Sequence, residues 1–384
     1  MRFEFATATR IVFGRGTVRE VAPAAQAMGR RALLVTGRSL DRAKPLARQL
    51  KDVGVESRPF AVEGEPTADV ARTGAACARA NQCDLVIAFG GGSALDAGKA
   101  IAAMATNPGD VTDYLEVVGK AQPLTVSPLP LIAVPTTAGT GAEVTRNAVL
   151  AAPEQRVKVS MRHPMMLPRL AVIDPDLTLG LPPEITAATG LDALTQLIEP
   201  LVSVRANPMT DTFCREGLER VRRSLGRAYH EGGDVEARTD MSLAALLGGL
   251  ALANAGLGVV HGFAGPIGGM FPAPHGAVCA ALLPHGMEAN IRALRARAPE
   301  SGSLRRYDEV GRILTGRSDA RAEDGVEWVR ELLREFQIPL LRLYGVGVAD
   351  VGILAEKASR ASSTKGNPIP LVPDELADLL RKAI

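Results

Sequence analysis

A chain of 384 residues is too long for one ordinary hydrophobic core, and at roughly 100–200 residues per domain it implies two. Its 46% apolar and 22% charged residues are ordinary for a globular protein. Basic and acidic side chains number 44 and 42, interspersed to a net charge of +2, which leaves no electrostatic footprint for nucleic acid or an anionic membrane and points to small-molecule partners.

The opening stretch, MRFEFATATRIVFG, has neither an apolar h-region nor a small-residue cleavage site, so no signal peptide is expected and the chain is read as cytoplasmic. From there to about residue 180, short apolar runs alternate with helical patterns: Ala32–Val35 before Leu40–Lys51, Asp84–Ala88 before Ala94–Met104, and Pro130–Val134 before a Gly/Thr loop. This alternation predicts βαβ units and a parallel sheet covered by helices. Beyond Pro182–Pro183 the strand signals vanish and Ala/Leu-rich stretches follow, broken at Asn207–Pro208, Gly232–Gly233 and Pro272–Pro274. The fold expected is an α/β domain over residues 1–180 and an all-α domain over 181–384. The most apolar stretch, Leu243–Val260, is interrupted by Gly248, Gly249, Asn254, Gly256 and Gly258, which suits a buried helix pair rather than a membrane span. Gly302–Arg306 and Arg317–Ala322 read as polar surface connections. No flexible tether separates the halves, so they are expected to pack across a cleft, where ligands commonly bind. Cys77, Cys83, Cys214 and Cys279 show no zinc-ribbon or CxxC spacing and read as buried or half-buried thiols in a reducing compartment.

Two loops carry the first functional signal. The buried-strand pattern Asp84–Phe89 runs into Gly90, Gly91, Gly92 and Ser93, then into a helix that carries Asp96 and Lys99. Glycines at a strand-to-helix turn let the backbone approach an anion, and the helix N-terminus offers free N–H groups to a pyrophosphate. The run matches neither the GxGxxG nor the P-loop spacing, and alone it suits a tight structural turn as well. A second loop, PTTAGTG, places Thr136, Thr137 and Thr140 after the strand Leu131–Val134, at the end where open α/β sheets bind ligands. Together the two loops favour an anion cradle. Lys158 adds either a positive charge there or a solvated strand lysine.

The second signal lies in the helical half. His261 and His275, two of only five histidines, flank a Gly-rich stretch and each stands before a glycine. Neutral imidazole is the commonest transition-metal ligand, although a lone histidine is more often a satisfied core residue. Asp192 sits in an otherwise largely apolar helix, and a buried carboxylate there costs several kcal/mol unless it is paired or metal-bound. Gln196, at i+4, shares its face. A solvated polar face shared with Glu199, or a buried cap, would also satisfy such a group.

The segments Gly90–Lys99, Pro135–Thr145, Thr189–Glu199 and His261–Asn290 resemble, in order and spacing, the iron-containing (group III) alcohol dehydrogenases, over essentially the whole chain. The resemblance implies a Rossmann-like dinucleotide-binding domain joined to an all-α domain, the dehydroquinate synthase-like fold, with one divalent ion near the nicotinamide. It implies that Gly90–Ser93 is the pyrophosphate loop, with Asp96 reaching toward the nicotinamide, that Thr136, Thr137 and Thr140 form a second cofactor loop, and that Asn147, Lys158 and Leu177 line the cofactor. It implies that Asp192, His261 and His275 are metal ligands.

Two departures stand out. Gln196 occupies the place of the family's usual first histidine ligand, and its neutral, harder amide oxygen reduces selectivity for iron, leaving Fe2+, Zn2+, Mn2+ or magnesium as candidates. Gly265 replaces a histidine that many members direct at the nicotinamide, which passes proton delivery to water or the ribose hydroxyls. After Ala32–Val35, many NAD-preferring members place an aspartate on the ribose, whereas this chain has Gly37, Arg38 and Ser39, so acceptance of NADP(H) beside NAD(H) is expected.

The activity implied is reversible hydride transfer between NAD(P)(H) and an alcohol or aldehyde, with Asp96 and His261 as catalytic residues. A non-redox, dehydroquinate-synthase-like lyase and a catalytically weakened nucleotide-binding protein are the competing readings. Phe263, Met270 and Phe271 either line the mouth of the pocket, which favours an apolar or aromatic aldehyde, or are core residues, while Arg146 and Arg162 are candidates to recognise a carboxylated substrate. The family implies homodimers formed through the N-terminal domain, and Phe3–Phe13 is a candidate for pairing with the second subunit.

Overall fold

The structure, a computed structural model, describes residues 2–384. The first part of the chain runs β1 (Ile11–Phe13), α1 (Val21–Met28), β2 (Arg31–Thr36), α2 (Lys44–Asp52), β3 (Glu56–Ala61), α3 (Ala68–Ala80), β4 (Leu85–Gly90), α4 (Gly92–Thr106), β5 (Leu131–Pro135), β6 (Asn147–Ala152), β7 (Val157–Arg162) and β8 (Leu170–Ile173). Six strands form one sheet in the order β1-β8-β5-β4-β2-β3, with every pairing parallel. A parallel sheet covered on both faces needs strands that are apolar throughout, and β4 is buried at every position. Side-chain alternation then sorts the strands into two cores. Leu34, Ile87, Phe89, Ile132 and Val134 pack toward α1 and α2. Leu33, Val35, Val86, Ala88 and Ala133 pack toward α4. The antiparallel pair β6–β7 lays its inward residues Ala148, Leu150, Val159 and Met161 on α3 and α4.

Chain order reverses between β2 and β4: β3 lies outside β2 on one side, and β5 and β8 lie beyond β4 on the other. The carboxyl ends of strands at such a switch point are where open α/β sheets bind ligands. At the far edge, β1 pairs in parallel with β8. Part of the segment considered for pairing with a second subunit, Ile11–Phe13, is therefore already used within the chain.

Residues 2–5, Ala138–Thr140 and Gly180–Ile384 form a second compact unit. Its helices are α5 (Pro183–Val202), α6 (Pro208–His230), α7 (Val235–Ala255), α8 (Val259–Met270), α9 (His275–Arg297), α10 (Gly302–Thr315), α11 (Ala322–Glu335), α12 (Val351–Arg360) and α13 (Pro373–Ala383). α5 is the central element: every residue from Gly190 to Val202 is buried, and α6, α7 and α9 pack around it. The breaks read from sequence fall between helices, with Asn207 capping α6 through Met209 N and Thr210 N. Gly302–Arg306 is not a surface connection but the start of α10. Ser301 accepts from Ser303 N, and Arg306 is fixed by a bidentate pair to Asp211 (2.6 and 2.7 Å) and by the Leu201 carbonyl. Among the described residues no single helix is long and apolar enough to cross a membrane, and α7 and α8, which hold the apolar stretch, are bent apart by 98°.

Candidate functional site

In the α/β unit the loops after β2, β4 and β5 lie side by side. Thr136 N donates to the Gly90 carbonyl at 2.9 Å. A Cβ at Gly90 would meet the Gly37 backbone nitrogen at 3.3 Å, and one at Gly91 would meet Thr137 Oγ1 at 3.3 Å. A side chain at Gly91 would crowd Thr137 and enter the space between the loops. The α4 N-terminus has no side-chain cap, so the N–H groups of its first turn, where Gly92 and Ser93 sit, are available to a phosphate. Arg38 and Ser39 are exposed at the end of β2. Thr140 belongs instead with the helical unit, where Gly139 is pressed against Thr189.

Behind this cradle, Asp96 and Lys99 form a closed set. Lys99 is almost fully buried, lies 3.0 Å from Asp96 Oδ1, and donates to Thr145 Oγ1 at 2.9 Å and to the Asn147 carbonyl. Asp96 Oδ2 accepts from Val149 N at 3.1 Å. Burial pushes the Asp96 carboxyl above its ordinary pKa, against the pull of Lys99. Lys158 is not a solvated lysine: its side chain is buried and paired with Glu65 at 3.0 Å. The Asn147 amide lies 3.4 Å from Ser160 Oγ, and the half-buried Leu177 receives Arg42 on its carbonyl. Arg162 pairs with Glu116 at 3.0 Å.

The helical unit contains the second cluster. Asp192 and Gln196 come from α5, His261 from the first turn of α8, and His275 begins α9. Asp192 Oδ1 lies 3.3 Å from His261 Nε2 and 3.7 Å from His275 Nε2. Asp192 Oδ1, Gln196 Oε1 and His261 Nε2 are all buried with no hydrogen-bond partner. Such atoms normally find partners, and two of them 3.3 Å apart, on Asp192 and His261, suit a cation bound between them. Burial pushes Asp192 upward, but His275, His261 and Gln196 hold its carboxyl below the ordinary value. Burial likewise lowers His275, yet its neighbours Cys279 and Asp192 raise it to about 9.

Glu199 controls the aim of His261. Its Oε2 lies 2.7 Å from His261 Nδ1 and its Oε1 accepts from Val260 N at 2.8 Å. The carboxylate thus sits on the positive end of α8 and accepts the Nδ1 proton, leaving the Nε2 lone pair free for a metal. Gly258 permits this, since a Cβ there would meet Glu199 Oε1 at 2.7 Å.

The model of the family described as "Iron-containing alcohol dehydrogenase" matches residues 8–175, and its C-terminal counterpart matches residues 186–384. The chain belongs to the iron-containing alcohol dehydrogenase family. A 1,3-propanediol dehydrogenase of Klebsiella pneumoniae is 37% identical over 381 residues, spanning 97% of this chain and 96% of that protein. Alcohol dehydrogenase 4 of Saccharomyces cerevisiae is 40% identical over 301 residues, 78% of this chain and 76% of its own length. The solved structure of a 1,3-propanediol oxidoreductase superposes over 100% of both chains with a TM-score of 0.91 at 34% identity. As a member of the iron-containing alcohol dehydrogenase family, the chain is an oxidoreductase that exchanges hydride between a nicotinamide cofactor and an alcohol or aldehyde with help from a metal; the lyase alternative is not favoured.

Against that family, three sequence expectations change. Glu199 is not part of a solvated face but is buried beside His261. Cys279 is buried, as expected, yet it shares the cluster of Asp192, His261 and His275. Phe263 is fully buried in the core of the helical unit and so cannot line a pocket mouth, whereas Met270 and Phe271 are half-buried. The signal for Glu199 was available at i+7 from Asp192, two turns along the same face.

Proposed function

We propose that this chain interconverts small alcohols and aldehydes with NAD(P)(H), using a divalent ion held by Asp192, His261 and His275, with Gln196 offering its amide oxygen. The observation that carries this is the cluster of ligand atoms from Asp192, His261 and His275, in which Asp192 Oδ1 and His261 Nε2 are buried without a hydrogen-bond partner. A divalent ion bound there supplies Lewis acidity that stabilises negative charge on the substrate oxygen. The loops at Gly91–Ser93 and Thr136–Thr137 would hold a nicotinamide dinucleotide, which would supply the hydride chemistry.

The protein's own part is to hold and to orient. Glu199 fixes the His261 tautomer, and the α8 N-terminus stabilises the Glu199 charge. Gly91, Gly92 and Ser93 present the start of α4 to a pyrophosphate, with Thr136 and Thr137 alongside. Asp96, tied to Lys99 and Val149, stiffens the helix behind that cradle. Gly265 offers no imidazole, so protonation falls to water.

Gly37 leaves no carboxylate to repel a 2′-phosphate, and Arg38 and Ser39 are exposed to bind one, which supports use of NADP(H). The named relatives, a 1,3-propanediol dehydrogenase and an alcohol dehydrogenase, support an alcohol or a diol as the substrate class. A homodimer and a reducing, cytoplasmic setting complete the proposal, the latter in keeping with four free cysteines. His261→Ala is expected to abolish most aldehyde reduction while cofactor binding persists. Full activity in that variant would overturn the metal-assisted reading, and an NADH preference of about tenfold over NADPH, about 1.4 kcal/mol, would overturn the NADP(H) assignment.

A further inference from the structure

The metal cluster contains one more strong donor, and it comes from a residue the catalytic proposal does not use. Cys279 is fully buried one turn after His275 on α9, with Sγ 3.7 Å from His275 Nε2. One atom each from Asp192, His261, His275 and Cys279 lies within 4.8 Å of all the others. Zinc–ligand bonds of about 2.0–2.2 Å to nitrogen or oxygen and about 2.3 Å to sulfur, arranged tetrahedrally, separate N and O donors by about 3.3 Å and S from N by about 3.6 Å. The separations here are 3.3 Å for Asp192–His261, 3.7 Å for Asp192–His275 and 3.7 Å for Cys279–His275. The buried, partnerless Asp192 Oδ1 and His261 Nε2 independently mark the same spot as a place for a cation.

We propose that Cys279 is a metal ligand, compensating for the glutamine at 196, so that the centre is an Asp/His/His/Cys site that selects zinc over iron or manganese. Thiolate donors favour zinc where imidazole and carboxylate alone do not discriminate. On loading, the Cys279 S–H proton is released to solvent and the sulfur binds as thiolate. This inference rests on the cluster being a metal centre, and its test separates the two.

The full-length protein is stripped of metal and titrated with Co(II), then with Zn(II) against a chromophoric chelator, for the wild type, Cys279→Ser, Cys279→Ala and Asp192→Asn. The wild type is expected to show a thiolate-to-cobalt charge-transfer band in the near ultraviolet that both Cys279 variants lack. Zinc affinity should fall in those variants by no less than the roughly 10–100-fold that loss of an outer-shell partner costs. Cobalt binding without a charge-transfer band overturns Cys279 as ligand and leaves the metal centre standing. That spectrum decides the matter from the wild type alone, even if a variant fails to fold. Failure of the wild type to bind either ion overturns the metal centre itself.

Discussion

Two buried polar clusters in this chain behave in opposite ways. Around Lys99, donors and acceptors close on one another: the ammonium has Asp96, Thr145 and the Asn147 carbonyl, and both Asp96 oxygens are engaged. Around Asp192, atoms of equal burial are left without partners. A closed cluster has done its work once the chain has folded, whereas an open one makes sense only with something added. Burial and charge are alike in the two, so satisfaction of hydrogen bonds is what separates a structural cluster from a ligand site.

The contrast breaks most visibly at Asp192. Asp192→Asn is expected to lower kcat by roughly 10⁴-fold, about 5 kcal/mol, while NAD(P)H binding followed by fluorescence is unchanged. The metal-free variant should unfold in urea at nearly the same concentration as the metal-free wild type, because only the 3.3 and 3.7 Å contacts of Asp192 to His261 and His275 are weakened. Lys99→Met should do the reverse, stranding Asp96 and lowering urea stability by about 4 kcal/mol. If the first variant unfolds and the second does not, the distinction between open and closed clusters is wrong.

Glu143 sharpens the comparison within the α/β unit. Burial pushes its carboxyl up from 4.5 to about 7, with Lys99 pulling in the other direction. The folded chain therefore keeps a proton that the unfolded chain releases at lower pH. Its contribution to stability is intact below pH 4.5 and is lost as pH rises to about 7, a change of about 3 kcal/mol. Thermal melts across that window should flatten in Glu143→Gln. The smallest effect is expected at Glu199→Gln, which keeps the shape but removes the charge behind His261. Metal affinity should fall by about 10–100-fold, about 2 kcal/mol, in a chelator competition.

What could be read from sequence was local. Glycines between a buried strand and a helix, threonines at the next strand end, and Asp192 with Gln196 one turn on are patterns within a few residues of chain. The alternative of a solvated face shared by Asp192 and Glu199 fails because α5 is buried throughout from Gly190 to Val202, so that a carboxylate there has no polar face to join. Cys279 had one local signal, His275 one turn before it on α9, while its other companions arrive from α5 and α8. Gly302–Arg306 looked like a connection because Arg306 is charged, and its partner, Asp211, lies on α6. In each case the deciding contact is remote in sequence.

Gly258 carries no functional group, yet it decides where an imidazole points. By letting Glu199 come close enough to accept from Val260 N and from His261, it makes the start of a helix and the tautomer of a metal ligand one structural event. Selection on this centre therefore acts on a position that touches neither metal nor substrate. A single methyl group there would press on the Glu199 carboxylate at 2.7 Å and on Asn367 Oδ1 at 2.9 Å, the acceptors of Val260 N and Val259 N, with every ligand still present in the sequence.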